Sequence, residues 1–346
     1  MVQRKLEGAL NSLLGGTMAP AVDPSTIPCQ ETSDVSSLPH DPLVSVRIVT
    51  YNHEPYLRRC LDGVLMQQTK FPFEIVIGED CSKDRTREIC FEYQKKYPDK
   101  IRVLWAEENV YKRGGNQART LYHCRGRYVA LLEGDDYWTD SLKLQKQIDL
   151  IQARGAQACV ANYETLARDG SLSATRYEGN ELLTHQDLAH FYPHTATYVL
   201  ERDLYFRLRE LYPGIRIWYD VVLMHCLVEN FRVVHLWDVV SVYRMTGAGM
   251  ATRLSDQEQK LLAVKQYLDL YLHGPRTWHK RFGALVMTYV AFFFKRATKE
   301  WSSVLMQEKA SVLKIIFWRI YLRQLWDLRS LRAFLRYVRF RLGFHR

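Results

Sequence analysis

Long apolar runs are missing from this chain. The longest, Phe282 to Phe294, is interrupted by Gly283 and Thr288 and falls short of the roughly 18–20 residues that a membrane-spanning helix needs. The opening "MVQRKLEGALNSLLGG" has no sustained apolar core, so no secretory signal peptide is expected. Cysteine has no pattern. Its seven positions, Cys29, Cys60, Cys81, Cys90, Cys124, Cys159 and Cys226, are odd in number and contain no C-x-x-C. That argues against a disulfide framework or a zinc site and suits a reducing compartment. Acids are scarce only at one end. From Lys260 onward, 18 Lys and Arg face four Asp and Glu. The net charge of +10 therefore belongs to the tail, and the preceding body is mildly acidic. Nucleic-acid binding by that body is not expected.

What is present is a globular composition, with 47% hydrophobic and 25% charged residues. Residues 1–42, rich in Pro, Ser, Thr and Asp toward their end, read as a flexible N-terminal segment. Residues 43–254 read as one folded domain and residues 255–346 as a basic, aromatic, helical extension. In the domain, "LVSVRIVT" (43–50), "FEIVIGED" (73–80), "IRVLW" (101–105) and "YVALL" (128–132) read as strands. Helical stretches alternate with them. Tyr56, Leu57, Cys60, Leu61, Val64 and Leu65 share one helix face, and Ile89, Cys90, Tyr93 and Tyr97 another. This alternation predicts an α/β fold, a mainly parallel sheet flanked by helices. Beyond residue 155 the order is less regular, with a hairpin near Asp169-Gly170, a helix from Trp218 to about Glu229, and strand material over 231–244.

Open parallel sheets bind ligands outside the carboxyl ends of their strands. Those ends carry polar groups here: Thr50-Tyr51-Asn52, Glu79-Asp80, and Glu133-Gly134-Asp135-Asp136 in "LLEGDDYWTD". Three acids within four positions repel one another unless a cation joins them. A hard divalent ion, Mg2+ or Mn2+, needs only one or two protein carboxylates when phosphates and water complete its shell. Such an ion would offset the repulsion among the acids and could act as a Lewis acid toward a bound ligand. The plainer alternative is a polar turn in which Asp136 or Asp140 caps the next helix.

Four stretches, "VSVRIVTYNHEPYLRRCLDGVLMQQ", "FEIVIGEDCSKDRT", "GRYVALLEGDDYWTDSLKLQKQ" and "VVSVYRMTGAGM", together resemble the family-2 glycosyltransferases of the GT-A fold, over roughly residues 43–250. The resemblance implies a Rossmann-like GT-A domain and inverting transfer of a sugar from a nucleotide sugar, usually with a divalent metal. It implies that Asp135 binds the metal, with Glu133 where many relatives have the first acid of D-x-D, and that Asp136 contacts metal-bound water or the donor sugar. It places Thr50, Tyr51, Asn52 and Asp80 against base and ribose, with Glu54 as a further candidate. Asp80 would accept the imide N–H of uracil, but Glu79-Asp80 stands where relatives often have paired Asp, so the donor base stays open. Asp84 is read either as a site residue or as a local helix cap, and Lys112 and Arg113 as phosphate contacts or as solvated surface.

An inverting transfer needs a base for the acceptor hydroxyl. The family takes it from an acid preceding an apolar helix, and "IRIWYDVVLMHCLVEN" makes Asp220 the candidate, or an N-cap for that helix. Arg244 is expected at the diphosphate. Many relatives carry a His just beyond the Tyr-Arg pair, where this chain has Thr246, and neither His53 nor His194 is assigned to the metal. In the tail, Leu328, Leu331, Leu335 and Val338 lie beside a stripe of Arg329, Arg332, Arg336 and Arg339. That pattern suits peripheral association with an anionic membrane, at the inner face of the cytoplasmic membrane, or a cap packed on the domain. The acceptor is then a glycan or lipid-linked hydroxyl in cell-surface polysaccharide synthesis, such as lipopolysaccharide. The rival functions are a nucleotidyltransferase, for which "TYNHEPYL" lacks a Gly-rich basic loop, and a non-catalytic nucleotide-sugar-binding scaffold.

Overall fold

The structure is a computed structural model that describes residues 23–111, 115–189, 191–215, 218–247, 256–279, 281–282 and 285–286. The chain divides into two compact units. One comprises residues 19–208 and 223–252, the other residues 1–18, 209–222 and 253–346.

The larger unit is built on β1 (Gln30–Thr32), β2 (Val44–Thr50), β3 (Phe73–Glu79), β4 (Ile101–Trp105), β5 (Tyr128–Glu133), β6 (Tyr137–Trp138), β7 (Ala158–Leu166), β8 (Leu172–Thr175), β9 (Val199–Glu201) and β10 (Val233–Arg244). Its sheet runs in the order β1-β4-β3-β2-β5-β9-β7-β10-β6, with β8 paired to β7. The long ladders, β4-β3-β2-β5 and β7-β10, are parallel. Antiparallel pairs join and edge them. The helices are α1 (Glu54–Leu65), α2 (Thr86–Lys96), α3 (Gly115–Tyr122), α4 (Lys143–Arg154), α5 (Leu204–Leu211) and α6 (Asp220–Asn230), followed by α7 (Asp256–His273).

The predicted strands and helix faces form as read. In β2, Val44, Val46 and Ile48 are fully buried on one face, against Leu57, Cys60, Leu61 and Val64 of α1. Removing each such side chain from water contributes about 1.5–3 kcal/mol. Pro55 sits in the first turn of α1, where its missing N–H costs no helical bond. Gly155 closes α4 in the left-handed region at φ 55°, as a helix C-terminus favours. The hairpin near Asp169-Gly170 is the β7–β8 turn, with Gly170 at φ 85°.

Part of the expected flexible lead-in is ordered. Residues 30–32 pair antiparallel with β4. Glu31 receives both Nε (2.8 Å) and Nη2 (3.0 Å) of Arg102, a two-point bond that fixes orientation as well as distance. Three polar residues carry no strand pattern, so only their partner across the sheet gives them away.

In the smaller unit, α7 is followed by a short 3-10 turn, Arg276–Trp278. Trp278 is buried, with its ring 5.4 Å from that of Tyr212. The arginine stripe at 329–339 lies outside the described residues. Among those described, no helix is long and apolar enough to cross a membrane.

Candidate active site

Parallel register brings the polar strand ends level. Thr50 pairs with Glu79, and Val49 with Glu133. The residues singled out at the ends of β2, β3 and β5 therefore share one rim. Side chains alternate along a strand, so Thr50 and Glu79 continue the α1-facing side, while Glu133 continues the side of Ser45, Arg47 and Val49.

Beyond β2 the chain turns at Asn52, whose φ is 55°, a region that Asn tolerates better than most residues. The Asn52 N–H donates to Ser82 Oγ (3.0 Å), and its Oδ1 accepts the Lys83 N–H (2.8 Å). The Glu54 N–H donates to Asp84 Oδ2 (3.1 Å), and Glu54 Oε2 accepts the Arg85 N–H (3.1 Å). Asp84 also accepts the Thr86 N–H at 3.0 Å, which is the local capping role. These bonds stitch the β2 and β3 loops together. Asn52 and Glu54 thus frame the rim, while Tyr51 stands exposed on it.

Glu79 is wholly buried. It accepts the N–H groups of Ser82 (2.6 Å) and Cys81 (3.2 Å) and binds Arg87 Nε at 2.6 Å. Asp80 turns toward the following loop, where Oδ1 accepts the Val110 N–H at 2.8 Å and its backbone oxygen accepts Asn109 Nδ2 at 2.9 Å. Burial raises its pKa. Lys112 and Arg113, just beyond, lie outside the described residues.

The acids after β5 diverge. Glu133 faces Arg47, with Nη2 3.7 Å from Oε1. Asp135 lies near His53, whose Nε2 is 3.9 Å from Oδ2. Asp136 is buried. Its Oδ1 accepts the backbone N–H of Arg244 (2.7 Å), and its Oδ2 is 3.6 Å from His194 Nε2. Burial, then the charges of Asp135 and Glu133, push the Asp136 pKa well above the carboxylate range. The His194 ring lies 4.3 Å from that of Tyr243, and burial drives its pKa down to about 3. Burial also lowers the pKa of His53, against the opposing charge of Asp135. Two neutral imidazoles therefore flank the aspartates.

Arg244 reaches the same place from the end of β10. Its Nη1 donates to the Asp135 backbone oxygen at 2.6 Å. Its guanidinium carbon is 4.9 Å from the ring centroids of both Tyr56 and Tyr137, a cation–π arrangement that holds the charge in place. Pairing of β6 with β10, Val242 opposite Tyr137, delivers it there. Trp138 anchors the turn from below, donating to the Ala196 carbonyl at 2.9 Å.

Asp135 fits a hard divalent cation best. Its carboxylate is 14% exposed and neighboured by an imidazole, whereas Asp136 is engaged with Arg244 and Glu133 turns to Arg47. Among the described residues, no group of three or more His, Cys, Asp or Glu comes together to hold a metal. A cation held here would take one or two protein groups and draw the rest of its shell from ligand and water oxygens. Asp220, in the smaller unit, opens α6 and accepts the Val221 N–H at 2.9 Å. Burial raises its pKa. Sequence reasoning passed over Arg47 and the site position of Tyr56, whose partners are remote in the chain; it set His53 and His194 near the strand ends, without their aspartate neighbours.

A mostly parallel sheet with this acidic rim defines a GT-A-type α/β protein. Residues 45–200 match glycosyl transferase family 2. An uncharacterized protein of Mycobacterium tuberculosis is 44% identical over 105 residues, a match that spans 30% of each chain. The putative teichuronic acid biosynthesis glycosyltransferase TuaG of Bacillus subtilis is 28% identical over 241 residues, or 68% of this chain and 92% of TuaG. The structure of S. aureus TarS in complex with UDP-GlcNAc aligns with a TM-score of 0.60 at 16% identity, over 87% of this chain and 92% of that one, a likeness of fold.

Proposed function

We propose that the protein transfers a sugar, with inversion, from a nucleoside diphosphate sugar to a hydroxyl of a glycan or lipid-linked acceptor in cell-surface polysaccharide synthesis. The observation that carries this reading is the level register of three polar strand ends, with Arg244 locked onto the third. Thr50, Tyr51 and the Asp80 loop form the nucleotide side of the rim, framed by Asn52 and Glu54. Asp80 beside Val110 offers a carboxyl to a base imide, which favours a uridine donor, and the UDP-GlcNAc bound by TarS agrees with that choice. Arg244 supplies positive charge for the diphosphate, and Asp136 serves the donor from its fixed place beneath the Arg244 backbone.

Asp135 is the residue that would hold Mg2+ or Mn2+. Such an ion, when bound, withdraws negative charge from the diphosphate as the glycosidic bond breaks. Asp220 takes the proton of the acceptor hydroxyl as that oxygen attacks the anomeric carbon and the nucleoside diphosphate leaves. A carboxyl with a raised pKa is the better base near neutral pH. The teichuronic acid role in the name of TuaG supports a polysaccharide product. The arginine stripe of the tail supports a position at the inner face of the membrane.

The test is a panel of nucleotide sugars with Mn2+ or Mg2+, followed by thermal shift and slow donor hydrolysis. A stabilising uridine diphosphate sugar that is hydrolysed by wild type, and not by D135A or D220A, supports the reading. Absence of binding by every nucleotide sugar sinks it.

A further inference from the structure

Arg47 occupies the middle of β2, a strand whose other residues are apolar or small and uncharged, with Val76 and Leu131 as its neighbours across the sheet. Its side chain is 5% exposed. Burying a guanidinium inside a sheet is costly unless a partner offsets the lost hydration. The acid facing it is Glu133, one step nearer the rim on the adjacent strand and on the same sheet face, 3.7 Å away and 25% exposed. Val49 pairs with Glu133 and Arg47 with Leu131, so the two side chains are diagonal neighbours, within reach of long side chains. Arg47 Nε has no hydrogen-bond partner, so it is not held by a separate network of its own at that atom. Asp135, two residues on, faces His53 instead.

We infer that Arg47 is a positioning residue that draws the Glu133 carboxylate onto its own sheet face and cancels its charge, leaving Asp135 as the cation-binding acid of the rim. Glu133 is then not a metal ligand, although it occupies the first acidic position of the motif. The inference deepens the proposed function and rests on reading the rim as a cation and nucleoside diphosphate site. Its physical content is electrostatic. Glu133 and Asp135 both charged and unopposed at one strand end would bind a cation more tightly but repel a diphosphate. One buried arginine offsets the charge of Glu133 and keeps the rim hospitable to both.

The experiment compares full-length wild type with R47M, R47K, E133Q, D135N and R47M/E133Q. Melting temperature is read without ligand, and Mn2+ binding in the presence of UDP is followed by the electron-spin signal of free Mn2+. R47M is expected to melt earlier and to bind Mn2+ several-fold more tightly than wild type, because Glu133 is released. R47K keeps both properties near wild type, and R47M/E133Q brings both back toward it. E133Q retains Mn2+ binding, while D135N loses it. If E133Q loses Mn2+ as D135N does, Glu133 is a ligand and the inference is overturned. Equal loss of melting temperature in R47M and in the double variant also overturns it, since the two residues are then uncoupled. If R47M alone fails to fold, recovery of folding in the double variant supports the pairing, and failure of both overturns it. Should wild type bind neither UDP nor Mn2+, the functional reading falls, and with it the cation role given to Asp135. The melting comparison still decides the pair.

Discussion

The backbone N–H of Arg244 donates to Oδ1 of Asp136 at 2.7 Å, across 108 residues of chain. The bond belongs to the backbone, so it survives any change of the Arg244 side chain. That separates two roles. Arg244→Met should leave Asp136 in place and the fold intact. It removes the bond to the Asp135 carbonyl and the charge between Tyr56 and Tyr137. Donor KM is expected to rise by about tenfold or more, the scale of one charge-assisted bond, with a smaller change in melting temperature. Steady-state kinetics with donor varied at saturating acceptor measures it.

Asp135→Asn keeps size and removes the charge proposed to hold a cation. Turnover should fall on the order of 10²–10³-fold, as when an electrostatic stabiliser of a transition state is lost. Asp220→Asn should also lower kcat strongly, by about 10²-fold or more, while leaving donor affinity unchanged. Isothermal titration with donor separates the two: a matching loss of donor affinity in Asp220→Asn would argue against its role as base.

Gly134 has no room for a methyl group. A Cβ there would stand 2.7 Å from Thr50 Oγ1 and 2.8 Å from His53 Nδ1. Gly134→Ala must push the β5 turn away from the end of β2, at a cost of about 1–3 kcal/mol. A lowered melting temperature together with weakened donor binding is expected. Unchanged values for both would show that the rim is softer than this packing implies.

Lys143 is fully buried, its Nζ bonded to Gln147 Oε1 (2.7 Å) and 4.1 Å from the Trp138 ring centroid. Burial lowers its pKa from 10.5 to about 7. Between those values the unfolded chain holds a proton that the folded chain has released. Stability should therefore rise with pH from about 7 to 10.5. Melting temperatures at pH 7 and 9.5 test this against Lys143→Met, in which that part of the rise should vanish.

Much of the architecture was legible in one dimension because burial leaves a local record. The apolar run of β2 and the helical spacing of Leu57, Cys60, Leu61 and Val64 state which surfaces leave water, whatever they later touch. The acids after β5 were equally plain, since a charge cluster beside a core strand is conspicuous wherever the chain folds. Their division of labour was not. Alternation and register turn Glu133 toward Arg47, the β6–β10 pairing brings Arg244 to Asp136, and a two-point bond to Arg102 holds the short β1 on the sheet. Asn52 and Glu54 were singled out as nucleotide residues, but the bonds by which they join the β2 and β3 loops left no mark in the sequence. Each of these outcomes depends on a partner far away in sequence, with a distance and direction that only the folded chain supplies. By itself the sequence determined the sheet, the helix faces and the place of the rim; the tertiary structure decided which of the rim's acids meets which base.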